Sequence, residues 1–120
     1  MTRFSGYAAV WDRVDRAGDV VRRGAFGDVR SAPLLWNHQG SPVGSVTVAE
    51  DGRGLLVHGV VEGPAADAVR AGAVAGLSVG YRVRRARQGA WRELLGAELL
   101  EVSLVRAPMQ ALARVERVEG

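Results

Sequence analysis

A serine between glycines and a histidine beside an apolar run are the residues of this chain best equipped for chemistry. Ser78 sits in GLSVG, within AGAVAGLSVGYRVRRAR, and His38 follows LLW in LLWNHQGSPVG. An imidazole with an ordinary pKa of about 6.5 accepts the proton of a serine hydroxyl while that hydroxyl attacks a carbonyl. The pair is sufficient for an acyl-transfer dyad, and a third group would hold the ring in the correct tautomer. Glu101 and Glu98 are the candidates, each an acid in an apolar setting, on opposite faces if their strand is regular. Plainer readings stand beside these. Ser78 is also a small polar filler where strands lie close, and His38 an ordinary loop residue whose neighbours Asn37 and Gln39 can hydrogen-bond a ring or a ligand. His58, inside LLVHGVV, reads as a surface or partly packed strand residue. Ser5, Ser31, Ser41, Ser45 and Ser103 have no such case.

Composition removes other chemistries. There is no cysteine, which excludes disulfides, thiolate metal sites and cysteine nucleophiles. With His38 and His58 the only histidines, a transition-metal site would need carboxylates around them, and no metal or cofactor is expected. GLSVG matches G-x-S-x-G literally, but that nucleophile elbow needs a strand-to-helix turn, whereas strand-like residues follow here. No phosphate-binding loop is present. The 16 basic residues, all arginine, exceed the 13 acids by +3. Arg70, Arg82, Arg84, Arg85 and Arg87 lie between Ala68 and Trp91 without an acid, whereas Glu93, Glu98 and Glu101 follow without a base. Such a basic strand could meet phosphate or an acidic protein. It lacks the interleaved aromatics of a single-strand nucleic-acid platform, so a solvated strand end is the plainer reading. The opening residues do not form a signal peptide, and no apolar run approaches the roughly 18 residues of a membrane span. A soluble protein used inside a cell, without a membrane partner, is the expectation.

The elements that must position these residues are mostly strands. At 120 residues and 48% hydrophobic content, one compact domain over residues 1–120 is expected. A first strand is predicted over 4–11, a turn at DRAGDVV, and a short helix in RRGAFGDVR leading to Pro33. Leu34 to Trp36 is a brief strand ending in a polar loop, Asn37 to Pro42. Val43–Glu50 and Leu55–Glu62 flank DGRG as antiparallel neighbours. Pro64 and the alanines after it start a helix that ends near Gly72 to Gly76. Leu77–Ala86 alternates so that Ser78 shares a face with Gly80, opposite Val79 and Tyr81. Residues 91–97 fit helix or strand, 98–106 a strand, and Ala111–Val118 a last one. The total is a mainly β fold with one or two short helices. A small closed or nearly closed antiparallel β-barrel is favoured, because so many short strands need protected edges.

Taken together, GYAAVWDRVDRAGDVVRRGAF, LLWNHQGSPVG with its Trp-x-His step, DGRGLLVHGVV, AVRAGAVAGLSVGYRV and LLEVSLVRAPMQALARV resemble, in order and over nearly the whole chain, the prohead serine protease family of tailed bacteriophages and gene transfer agents. That family is distantly similar in fold to herpesvirus assemblin. The resemblance implies a serine endopeptidase with Ser78 as nucleophile and His38 as general base. Its E-V-S-L-V segment places the third member at Glu101, with Glu98 second. His58 lies in a different strand and order from the herpesvirus third histidine and is rejected for that role. By analogy with an arginine loop in those enzymes, Arg84, Arg85 and Arg87 are possible oxyanion supports.

The resemblance also implies partners. Family substrates are the scaffold, or the scaffold-like leader of the major capsid protein, cleaved inside the immature capsid in the host cell cytoplasm. Self-association is possible, though WRELLGAELLEV leaves little room for a dimerisation helix, and nucleic acid is not expected as a partner. The chain is short for the family, and a compact form beside a capsid protein with its own leader is expected. Two alternatives belong to other classes: a catalytically silent capsid-assembly factor of the same fold, whose signature would be replacement of Ser78 or His38, and a basic β-barrel nucleic-acid module carried by Arg82 to Arg87.

Overall fold

The structure, a computed structural model, describes residues 1–120. In chain order its elements are β1 (Thr2–Val10), β2 (Asp19–Val21), β3 (Ser31–Trp36), β4 (Gln39–Glu50), β5 (Gly54–Val61), α1 (Gly63–Arg70), β6 (Gly76–Gln88), β7 (Arg92–Val105) and β8 (Val115–Glu119). Alternation decides which faces turn inward: Val46 and Val48 of β4 are buried, while Ser45 and Thr47, which alternate with them, are exposed. Leu34, Leu55, Leu77, Leu94 and Leu104 are at most 1% exposed and anchor a core of 23 buried residues. Each such side chain contributes about 1.5–3 kcal/mol of burial free energy. α1 opens with Pro64 in its first turn and packs Ala65, Ala66 and Val69 inward.

All strands join one sheet, in the order β2-β7-β3-β4-β5-β1-β8, with β6 also paired to β7. The expected closed or nearly closed barrel does not form; the sheet is open. Its end strands, β6 and β8, share no ladder. The chain just before β8 meets the start of β6 only at an isolated Gly76–Arg114 bridge and in hydrogen bonds from Leu77 to Ala113 and from Val115 to Ala75. One reason is that β7 is long enough to carry β6 on one edge, while its other edge is shared by β2 at one end and β3 at the other, both parallel. Edge protection comes from charge instead: the distal half of β6 is exposed and studded with arginine.

Local expectations also shift. The predicted helix before Pro33 is a run of turns over residues 23–28, because Gly24 (φ 90°) and Gly27 (φ 62°) adopt the left-handed conformation that interrupts a helix. DRAGDVV contains the short strand β2 as well as a turn. Residues 92–97 are strand, since they pair with β6. The last strand starts at Val115 rather than Ala111. The polar loop expected over 37–42 shrinks to Asn37 and His38, with Gln39 already in β4, and this shortening shapes the site.

Candidate active site

Trp36 and Gln39 pair across a two-residue hairpin turn in which Asn37 (φ 53°) and His38 (φ 63°) both take positive φ. Primed turns of this kind suit the twist of a hairpin, and Asn tolerates the left-handed region far better than most residues. For His38 the conformation is costly, so its surroundings must hold it. They do so through β7. Leu34 to Trp36 run parallel to Val102 to Leu104, the Asn37 N–H donates to the Leu104 carbonyl at 3.0 Å, and the His38 N–H donates to the Ser103 hydroxyl at 3.0 Å.

Glu101 comes from a kink in β7. Gly80 pairs with Glu101 but Tyr81 pairs with Leu99, which leaves Leu100 as an extra residue, a β-bulge. Bulges commonly re-aim a side chain beside a site. Here Glu101 Oε1 lies 2.6 Å from His38 Nδ1, and Ser103 Oγ donates to Glu101 Oε2 at 2.6 Å. A carboxylate only accepts, so Nδ1 carries the hydrogen, and Nε2 is left with its lone pair free to take a proton.

Ser78 enters from β6. It pairs directly with Ser103, as Gly80 pairs with Glu101, so these four residues share one face of the β6–β7 ladder. Ser78 is 7% exposed, and its hydroxyl is engaged by no other side chain. With His38 it lines a cavity of about 140 Å³ whose wall is largely apolar, including Ala8, Ala9, Leu77, Val79 and Met109. Apart from Ser78, the polar groups of that wall are already committed. The Gln110 side chain accepts from the Val10 N–H at 2.6 Å and donates to the Val10 carbonyl at 3.0 Å. Arg92 grips Asp19 at 2.8 and 2.9 Å, and its hydrogen bonds hold the Asp19 carboxyl below the usual range against the opposing effect of burial. Burial first, then the charges of Asp19 and Asp15, push the Tyr81 phenol up to about 12, so it stays a neutral donor to Asp19.

The sequence candidates thus divide. His38, Ser78 and Glu101 are gathered around one cavity edge and one ladder face. Glu98 is not with them: it is on the exposed arm of β6 and β7, bonded to Arg82 at 3.4 Å and to Arg84. Arg84 lies six residues beyond Ser78 along β6, about 20 Å at the rise of an extended strand. Arg87 is paired with Glu93 at 2.8 Å, and Arg85 is exposed between them. These arginines line the arm rather than the surroundings of Ser78. His58 lines a separate groove with Arg3, Ser5, Thr47 and Arg117 on the outer sheet face. No group of three His, Asp or Glu side chains is placed to hold a metal ion.

Ser103 and Gly80 are the site residues that sequence reading missed. The available signal was period two: Ser103 is two residues from Glu101, and Gly80 two from Ser78, so each shares a face with its neighbour.

Comparisons with known proteins bear on the family and the fold of the chain. The family model described as caudovirus prohead serine protease matches residues 1–119. The prohead protease of Enterobacteria phage HK97 is 36% identical over 96 residues, covering 68% of this chain and 43% of that protein. Among solved structures, varicella-zoster virus protease superposes with a TM-score of 0.64 at 16% identity, over 98% of this chain and 64% of its own. KSHV protease, in complex with a hexapeptide phosphonate inhibitor, gives 0.63 at 12% identity, over 99% and 65%. Those two likenesses establish a shared herpesvirus-protease fold, and the chain spans less than two thirds of the length of each relative. Because the family match runs through residues 1–119, the chain belongs to the caudovirus prohead serine protease family.

Proposed function

We propose that this chain is a serine endopeptidase that cleaves the scaffold, or the N-terminal leader of the major capsid protein, during prohead maturation. The observation that carries the reading is the bonded series Ser103–Glu101–His38, set beside a Ser78 hydroxyl on the same ladder face and cavity. His38 Nε2 takes the Ser78 proton as Oγ attacks a peptide carbonyl; Glu101 holds the ring and stabilises the imidazolium that forms. The protonated ring then gives its proton to the leaving amine, and water, activated by the same nitrogen, releases the acyl group. Ser78 and His38 are not yet hydrogen-bonded to each other, as is common before substrate draws such a pair together. The apolar cavity of about 140 Å³ receives one substrate side chain.

Residues 1–120 act as one protease domain in this reading. Its place of action is the immature capsid in the host cell cytoplasm, and the chemistry calls on no cofactor. The test is covalent labelling by a peptidyl diphenyl phosphonate, read by intact mass and peptide mapping. Adduct formation at Ser78, absent in Ser78→Ala and His38→Ala, supports the reading. Equal labelling of the wild type and both variants contradicts it.

A further inference from the structure

We propose that Gly80 is a positioning residue of this site, the bare seat on which the Glu101 carboxylate rests in order to reach His38; as a role in catalysis, this rests on the protease reading above. A Cβ built on Gly80 would stand 2.1 Å from Glu101 Oε1, 2.7 Å from Cδ and 2.9 Å from Cγ. The oxygen it would strike is the same one that lies 2.6 Å from His38 Nδ1. Even the smallest side chain at position 80 therefore competes with the working oxygen for one volume.

The carboxylate has little freedom to step aside. Its other oxygen is held by the fully buried Ser103 hydroxyl at 2.6 Å, and its backbone is set by the Leu100 bulge. Nor does the backbone at position 80 ask for glycine. Gly80 is not among the residues with positive φ, and glycine inside a strand normally weakens it. Other crowded glycines meet structural neighbours: Gly44 and Gly54 lie against backbone carbonyls of adjacent strands, Gly6 against the Arg114 carbonyl just before β8, and Gly59 under the Phe4 ring. Gly80 differs in lying against the side chain that orients the histidine. The second glycine of GLSVG thus acquires a reason unrelated to a nucleophile elbow: β6 presents the nucleophile at one position and clears space for the acid at the next on that face.

The test compares Gly80→Ala, Glu101→Ala and the double variant. One readout is the ring-nitrogen chemical shifts and low-field Nδ1 proton of His38 by NMR; the other is the rate of Ser78 labelling by the same peptidyl diphenyl phosphonate. Gly80→Ala is expected to lose the low-field proton and to slow labelling on the order of 10²-fold, the scale of a misplacement of about 1 Å. The double variant is expected to match Glu101→Ala, because the colliding partner is gone. The proposal is overturned if Gly80→Ala keeps both the proton and the rate, or if adding it to Glu101→Ala costs the full factor again. Should Gly80→Ala misfold, a folded double variant supports the collision, and a misfolded one overturns it by making Gly80 a requirement of the strand itself. If the wild type is never labelled while the His38 signals still respond to Gly80→Ala, the seat stands and the protease reading falls.

Discussion

Ser78 and Ser103 stand directly opposite each other on the β6–β7 ladder, yet only Ser103 is bonded to His38 and Glu101. One hydroxyl is committed as both donor and acceptor within the framework, and the other is left uncommitted beside the cavity. The two serines should therefore fail differently. Ser78→Ala is expected to abolish labelling and cleavage. Ser103→Ala keeps the nucleophile but releases both the His38 turn and the Glu101 carboxylate, and should lower the rate by about 10- to 100-fold, the cost of imperfect orientation. Equal loss in the two variants, with both folded by circular dichroism, would contradict this division.

The two acids offer a second contrast. Glu101→Gln removes the charge beside His38 and disturbs the tautomer, with an expected rate loss on the order of 10²–10⁴-fold. Glu98→Gln alters only the arm, where Glu98 meets Arg82 and Arg84, and is expected to leave the labelling rate unchanged. Alanine at Arg84, Arg85 or Arg87 should do the same. A rate loss in the arm variants as large as that of Glu101→Gln would return the arm to the site.

Stability should fall in acid through two arginine-paired carboxylates, Glu93 and Asp19. Hydrogen bonds from Arg87 and then Arg22 hold the Glu93 carboxyl at about 2, against an ordinary value of 4.5. Arg92 similarly lowers Asp19. A carboxyl whose folded pKa is depressed adds stability that is complete above its unfolded value and is lost as pH falls through the folded one. The melting temperature is therefore expected to decline as pH drops from about 4.5 towards 2, and less steeply in Glu93→Gln. An identical slope in that variant would remove Glu93 from the account.

Much of this arrangement is legible in the chain, for physical reasons that can be named. Period-two alternation marks β4, β5 and β6, and it correctly places Ser78 and Gly80 on one face. The family motifs single out His38, Ser78 and Glu101, which the fold gathers at one site. What alternation does not reveal is partnership. The sharing of one edge of β7 between β2 and β3, which goes with an open sheet, depends on contacts far apart in sequence. The turn at Asn37 and His38 looks like a longer polar loop because Gly40, Ser41 and Pro42 carry turn-like composition, although they lie in β4. The Leu100 bulge is also silent in sequence, since a single extra residue leaves the hydrophobic pattern on either side intact. By alternation alone Glu98 and Glu101 are simply two acids on opposite faces; the family segment favours Glu101, and the register shows how it reaches the histidine.

The most direct test of the central claim is co-expression of this protein with the major capsid protein of the same genome, comparing wild type with Ser78→Ala by intact mass of the capsid chain. The account predicts that the capsid chain, or its scaffold, loses a defined segment with the wild type alone, and that the new terminus reports the bond cleaved. A full-length capsid chain in both cases, with assembly normal, would contradict it and leave an assembly role in place of proteolysis.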